Sequence, residues 1–134
     1  IYTTALPPAI AEATRASLRL VKEESWRRDR LAARIRQFRQ GAEHLGLKLM
    51  DSISPIQPLV IGDNRSAIEA SDQLRASGFW VSAIRPPTVP DGTARLRITV
   101  TSMHTEDQVD RLLEAMSRLP MIKLGKVNAV RALA

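Results

Sequence analysis

Few side chains in this 134-residue sequence can do chemistry, and their spacing narrows the field further. The two histidines, His44 and His104, lie far apart, and neither has a second donor at metal-ligand spacing. His44 falls near a helix end, where surface capping is the ordinary role, and His104 reads as a loop residue. The absence of cysteine removes disulfides, thiolate nucleophiles and iron–sulfur ligation. Lys22, Lys48, Lys123 and Lys126 read as solvent-facing, and there is no phosphate-binding glycine loop or nucleophile elbow. What remains is an arginine in a distinctive setting. Arg85 follows a β-rich run and precedes Pro86 and Pro87. A guanidinium on a rigid loop presents a fixed fork, which bidentate carboxylate recognition requires. Thr88 adds a hydroxyl and a backbone amide in a turn bounded by Pro87 and Pro90. The competing reading is that the prolines only shape a loop and Arg85 is a solvated cation. The residues alone leave both open.

The elements that must position this loop are legible from periodicity. Pro7-Pro8 opens a helix running to Glu24, with Ile10, Ala13, Leu18 and Val21 as its expected inward positions. Leu31, Ile35, Phe38, Ala42 and Leu45 recur at 4-3-4-3 spacing, one apolar helical face, and Gly46 stops it. Leu47 to Met50 suggests a short strand, and Pro58 to Gly62 a buried one. Asp63 or Asn64 caps a helix that turns Ala67, Ala70 and Leu74 inward and ends at Gly78. Phe79 to Ile84 is β-rich. From Arg95 to Thr101, Leu96, Ile98 and Val100 alternate with Arg95, Arg97, Thr99 and Thr101, which predicts a strand with one buried face. Thr105-Glu106-Asp107-Gln108 is a capping box for a helix buried through Val109, Leu112, Leu113 and Met116. The order α-α-β-α-β-β-α predicts a two-layer α/β (α+β) domain: a small, mainly antiparallel sheet with helices on one face. The domain is expected to span 1–119. Residues 120–134 change character and are expected to be a tail, non-native or disordered.

Charge needs its own account. The chain has net charge +6, and between Arg19 and Arg39 eight basic residues face three acidic ones, leaving +5. That pattern fits a polyanion-binding stripe or a solvated helix face whose arginine stems cover apolar surface. With aromatics at 4% and no stacking motif, the second reading is favoured over a basic module for RNA. No apolar run is long enough for a membrane span, so no membrane partner is expected. The opening Ile-Tyr-Thr-Thr-Ala-Leu-Pro-Pro reads like the interior of a longer protein.

Four segments then carry a resemblance. Tyr2-Thr3-Thr4-Ala5-Leu6-Pro7-Pro8, Ile56 to Asn64, Ile84 to Pro90 and Arg95 to Thr99 resemble, in order and spacing, the α-oxoamine synthases. These pyridoxal-phosphate (PLP) enzymes join an amino acid to an acyl thioester with loss of carbon dioxide. The likeness runs from Ile1 to about Leu119 and, in Ala-Ile-Arg-Pro-Pro-Thr-Val-Pro, is greatest to the biotin-pathway members, which use L-alanine and a pimeloyl thioester.

The resemblance implies the C-terminal domain of a fold-type-I PLP enzyme. The catalytic lysine, the ring-stacking histidine and the pyridine-pairing aspartate would lie in an N-terminal large domain, leaving no catalytic residue here and an inactive fragment. It assigns Arg85 to the amino-acid carboxylate and Thr88 to substrate binding. Thr3 and Thr4 would reach the cofactor phosphate of the neighbouring subunit, and Arg97 would support packing or substrate access. It implies a cytoplasmic homodimer that takes pimeloyl-CoA or pimeloyl-acyl carrier protein, with no metal and no nucleic acid. A sister member acting on glycine, such as the threonine-pathway ligase, stays open.

Overall fold

Alternation decides the strand at the centre of the molecule. In a computed structural model that describes residues 5–47 and 49–123, β3 (Ala94–Thr99) buries Ala94, Leu96 and Ile98 and leaves Arg97 and Thr99 exposed. It lies between β1 (Ile56–Gly62) and β2 (Ser82–Ile84), both antiparallel to it, in a three-stranded sheet ordered β1-β3-β2. Gln57 pairs with Ile98 and Leu59 with Leu96, so both strands turn buried side chains to the same side.

That side is covered by helices. α3 (Asn64–Ala76) buries Ala67, Ala70, Ser71 and Leu74, and Asp63 caps it by accepting the Ser66 N–H at 2.8 Å. Gly78 takes φ +89°, a backbone conformation that L side chains rarely adopt, and ends the helix there. α2 (Trp26–His44) contributes Ile35, Phe38 and Ala42 to the core, with Leu31 and Leu45 packed at its margin. α4 (Glu106–Ser117) starts on the complete Thr105–Gln108 capping box and buries Val109, Leu113 and Met116. Phe38, Leu59, Leu74, Leu96, Ile98 and Met116 are among the most deeply buried side chains of the core. The expected fold class and element order are borne out.

Four expectations change. The helix α1 (Pro8–Glu23) forms, but Ile10, Ala13, Leu18 and Val21 are all exposed and the helix buries nothing among the described residues. An amphipathic stripe is buried only where another surface meets it, and no described element lies against this one. The Phe79–Ile84 run contributes only Ser82–Ile84 to the sheet. Trp80 before it is 82% exposed, with the Arg75 guanidinium 4.7 Å from its ring centroid, so aromatic character there serves the surface. The expected strand near Leu47–Met50 reduces to one bridge between Leu49 and Leu59. The fold also continues past Leu119: α5 (Pro120–Lys123) follows directly and Met121 is buried in the core. Residues 124–134 lie outside the described residues.

Candidate functional site

The sheet's second face carries no helix among the described residues, and β3 places its cations there. In register, Arg97 lies opposite Pro58 and Ser82, Arg95 opposite Val60 and Ile84, and Thr99 opposite Ile56. Arg95 is tied down: Nε donates to the Thr93 carbonyl at 3.1 Å, Nη2 to Thr93 Oγ1 at 3.2 Å, and Nη1 contacts Met50 Sδ. Arg97 is exposed and makes no hydrogen bond or ion pair with any described residue. It stands at the middle of the open face.

Arg85 lies at the edge. It follows Ile84, the last residue of β2, and is exposed and unpaired among the described residues. Ser82 and Ile84 share the open face with Arg97 and Arg95, and Arg85 comes directly after the last paired residue of β2. The turn after it is well defined. The Thr88 N–H donates to the Arg85 carbonyl at 3.0 Å, across a cis Pro86–Pro87 bond. Thr93 closes the next turn by donating its hydroxyl to the Pro90 carbonyl at 2.7 Å. Thr88 is exposed, but its backbone amide is already used, so only its hydroxyl is available to a ligand. Thr3 and Thr4 lie outside the described residues.

The histidines follow the sequence reading. His44 is exposed in the last turn of α2, and His104 accepts the Thr101 N–H on Nδ1 at 3.0 Å within a turn. Among the described residues, no three His, Cys, Asp or Glu side chains gather as a metal site.

The arginine-rich helix holds what sequence reasoning missed. Arg34 is buried, pairs with Glu106 and donates to Gln37 Oε1 at 2.9 Å. Arg39 donates to the fully buried Gln57 Oε1 at 2.7 Å, while the Gln57 amide donates to the carbonyls of Ser52 and Ser54. Several arginines of the basic stretch are therefore structural. The available signal was that Arg34 sits beside Ile35 on the side of the helix that becomes buried.

Residues 1–116 match the family described as aminotransferase class I and II. The chain belongs to that family. Among its members, the chain is similar to 8-amino-7-oxononanoate synthase from Nitrosococcus oceani, with 63% identity over 116 residues, 87% of this chain and 31% of that protein. The enzyme of the same name from Saccharophagus degradans is 56% identical over 129 residues, 96% of this chain and 32% of that protein. The chain thus spans about a third of the length of the curated relatives it matches.

Solved structures agree with this likeness. Serine palmitoyltransferase from S. paucimobilis with bound PLP–myriocin aldimine superposes with TM-score 0.82 at 26% identity, over 92% of this chain and 32% of that one. The 8-amino-7-oxononanoate synthase from Francisella tularensis gives TM-score 0.76 at 34% identity, over 88% of this chain and 34% of that one. The family resemblance read from the motifs is borne out.

Proposed function

We propose that this chain is the C-terminal part of an 8-amino-7-oxononanoate synthase, and that its open sheet face helps bind the amino-acid substrate. The observation that carries the reading is an exposed, unpaired Arg85 on a defined turn at the edge of a helix-free sheet face, in a chain 63% identical over 116 residues to a synthase of that name. The reaction would condense L-alanine with a pimeloyl thioester, releasing carbon dioxide and the free thiol carrier. Such a guanidinium suits a carboxylate, which accepts two parallel N–H bonds from it.

We assign the carboxylate to Arg85, on the proline-flanked turn, as the family resemblance implies, with Arg97 on the open face in support; both are exposed and unpaired among the described residues. The Thr88 hydroxyl, on the turn that Arg85 opens, would contact the same substrate.

Pyridoxal 5'-phosphate would serve the whole enzyme. Among the described residues, the open face presents arginines and hydroxyls. It presents no amine to link the cofactor aldehyde and no carboxylate to pair with a pyridine nitrogen. The cofactor would therefore be held by the remainder of the polypeptide, with Thr3 and Thr4 reaching the phosphate of the neighbouring subunit's cofactor in a homodimer. When bound, the group supplies an electron sink for the substrate Cα. This chain's own contribution is to fix the carboxylate end and so orient the reacting carbon.

The test is steady-state turnover by the full-length polypeptide, supplied with PLP. Formation of 8-amino-7-oxononanoate from L-alanine and pimeloyl-CoA or pimeloyl-acyl carrier protein supports the reading. Preference for glycine with a short acyl-CoA would replace it with a sister activity. No turnover of either pair would overturn it.

A further inference from the structure

Arg85 hangs on the end of the shortest strand of the sheet. β2 is three residues long and lies at the sheet edge, with β3 as its one neighbour among the described residues. Ser82 pairs with Arg97, Ala83 with Leu96 and Ile84 with Arg95, and that is the whole of its register. Beyond the strand, the Thr88 N–H closes its turn onto the Arg85 carbonyl. Where the chain enters the strand, the anchor comes from a helix.

Ser71 sits midway along α3, in the buried row of Ala67, Ala70, Ser71 and Leu74. A hydroxyl inside a helix ordinarily turns back to its own backbone. Thr14 and Ser17 do so in α1, each donating at 2.9 Å to the carbonyl four residues earlier. Ser71 reaches across to another element instead. It is 6% exposed, and its Oγ donates at 2.6 Å to the carbonyl of Val81, the residue immediately before β2. Val81 is itself buried, so the hydroxyl takes the place of water as that carbonyl's donor. Ala67 and Ala70 are small enough to let α3 pack closely on the sheet, within reach of so short a side chain.

We propose that Ser71 is a positioning residue for Arg85: its hydroxyl pins the entry of β2 and, through that strand, sets where the guanidinium meets the substrate carboxylate. The inference rests on the proposed synthase activity and on the carboxylate role of Arg85 within it. Ser82–Ile84 is all that separates the pinned residue from Arg85, so a shift at Val81 is carried along the strand to the guanidinium. Two parallel N–H···O bonds tolerate little displacement, so a small shift costs the carboxylate more than it costs the fold.

The experiment measures the dissociation constant for L-alanine in the full-length PLP-loaded enzyme, by titration of the cofactor absorbance. Ser71→Ala removes the hydroxyl at a position where alanine is the better helix former. It is expected to weaken L-alanine about fivefold, the equivalent of one lost hydrogen bond. Ser71→Cys, which fills the same space with a weaker donor, is expected to fall between Ser71→Ala and wild type. In an Arg85→Ala background the same Ser71→Ala change is expected to alter affinity less than about 1.5-fold, because the residue it positions is gone. Glu106→Ala, which loosens α2 against α4 away from β2, is the stability control. It is expected to lower the melting temperature and leave L-alanine affinity unchanged.

Undiminished L-alanine affinity in Ser71→Ala overturns the positioning role and leaves the synthase reading intact. So does the same fivefold loss with and without Arg85, which would make the effect independent of the guanidinium. An equal loss in Glu106→Ala overturns it by tracing the effect to stability alone. A wild type that binds no L-alanine counts against the synthase reading itself, and the positioning role falls with it.

Discussion

At the scale of single residues, buried and exposed arginines do different work in this chain. Arg34 is buried against α4 with Glu106 as its anion, and Gln37 adds a donor to Asp110 Oδ1 at 2.7 Å across the same interface. Removing Glu106 leaves a buried guanidinium without its counter-charge. Glu106→Ala is therefore expected to destabilise by about 2 kcal/mol, while Glu106→Gln, which keeps an acceptor, costs about half as much. Denaturant midpoints of the full-length variants check this, and equal costs would show that the charge is irrelevant. Asp63 acts at the other end of the exposure scale. Hydrogen bonds from Ser66 hold its carboxyl below the ordinary value of 3.8. A depressed carboxylate adds stability above the unfolded-state value and loses it as pH falls through the folded one. Asp63→Ala should cost about 1 kcal/mol at neutral pH through the lost cap. The gap to wild type should narrow as pH falls below 3.8, and a constant gap would contradict the assignment.

At the scale of elements, legibility tracked whether a pattern had its partner nearby. β3 was readable because alternation across Leu96, Ile98 and Val100 matches its actual burial. α3 and α4 were readable because Asp63 and the Thr105–Gln108 box mark their starts chemically. β2 was overestimated because Phe79 and Trp80 are good strand residues that precede the sheet without joining it. The structural roles of Arg34 and Arg39 were missed because composition counts a charge without saying what faces it. α1 is the instructive case: its apolar stripe was correct as a pattern, yet Ile10 and Val21 remain in solvent. We expect that stripe to pack against the rest of the full-length polypeptide. Ile10→Asp and Val21→Asp should then each lower full-length stability by about 2 kcal/mol or more, whereas Arg19→Asp on the polar side should change little. Equal effects on both sides, read from melting temperatures, would refute that packing.

At the scale of the whole molecule, the net +6 has been redistributed into roles. Part of it braces α2 against α4 and the 50–54 loop, part edges the groove between α2 and residues 51–55, and Arg85 and Arg97 stand apart from both. The site proved harder to read than the fold. The motif drew attention to the proline-flanked Arg85, and the paired sheet adds that Arg97 stands exposed at the centre of the adjoining open face. The most direct measurement is the dissociation constant for L-alanine in the full-length PLP-loaded enzyme, compared among wild type, Arg97→Ala and Arg85→Ala by titrating the cofactor absorbance. The account predicts that Arg85→Ala weakens alanine about 100-fold, close to 3 kcal/mol, with cofactor absorbance unchanged in the absence of substrate, and that Arg97→Ala has a smaller effect. Undiminished alanine affinity in Arg85→Ala would contradict it.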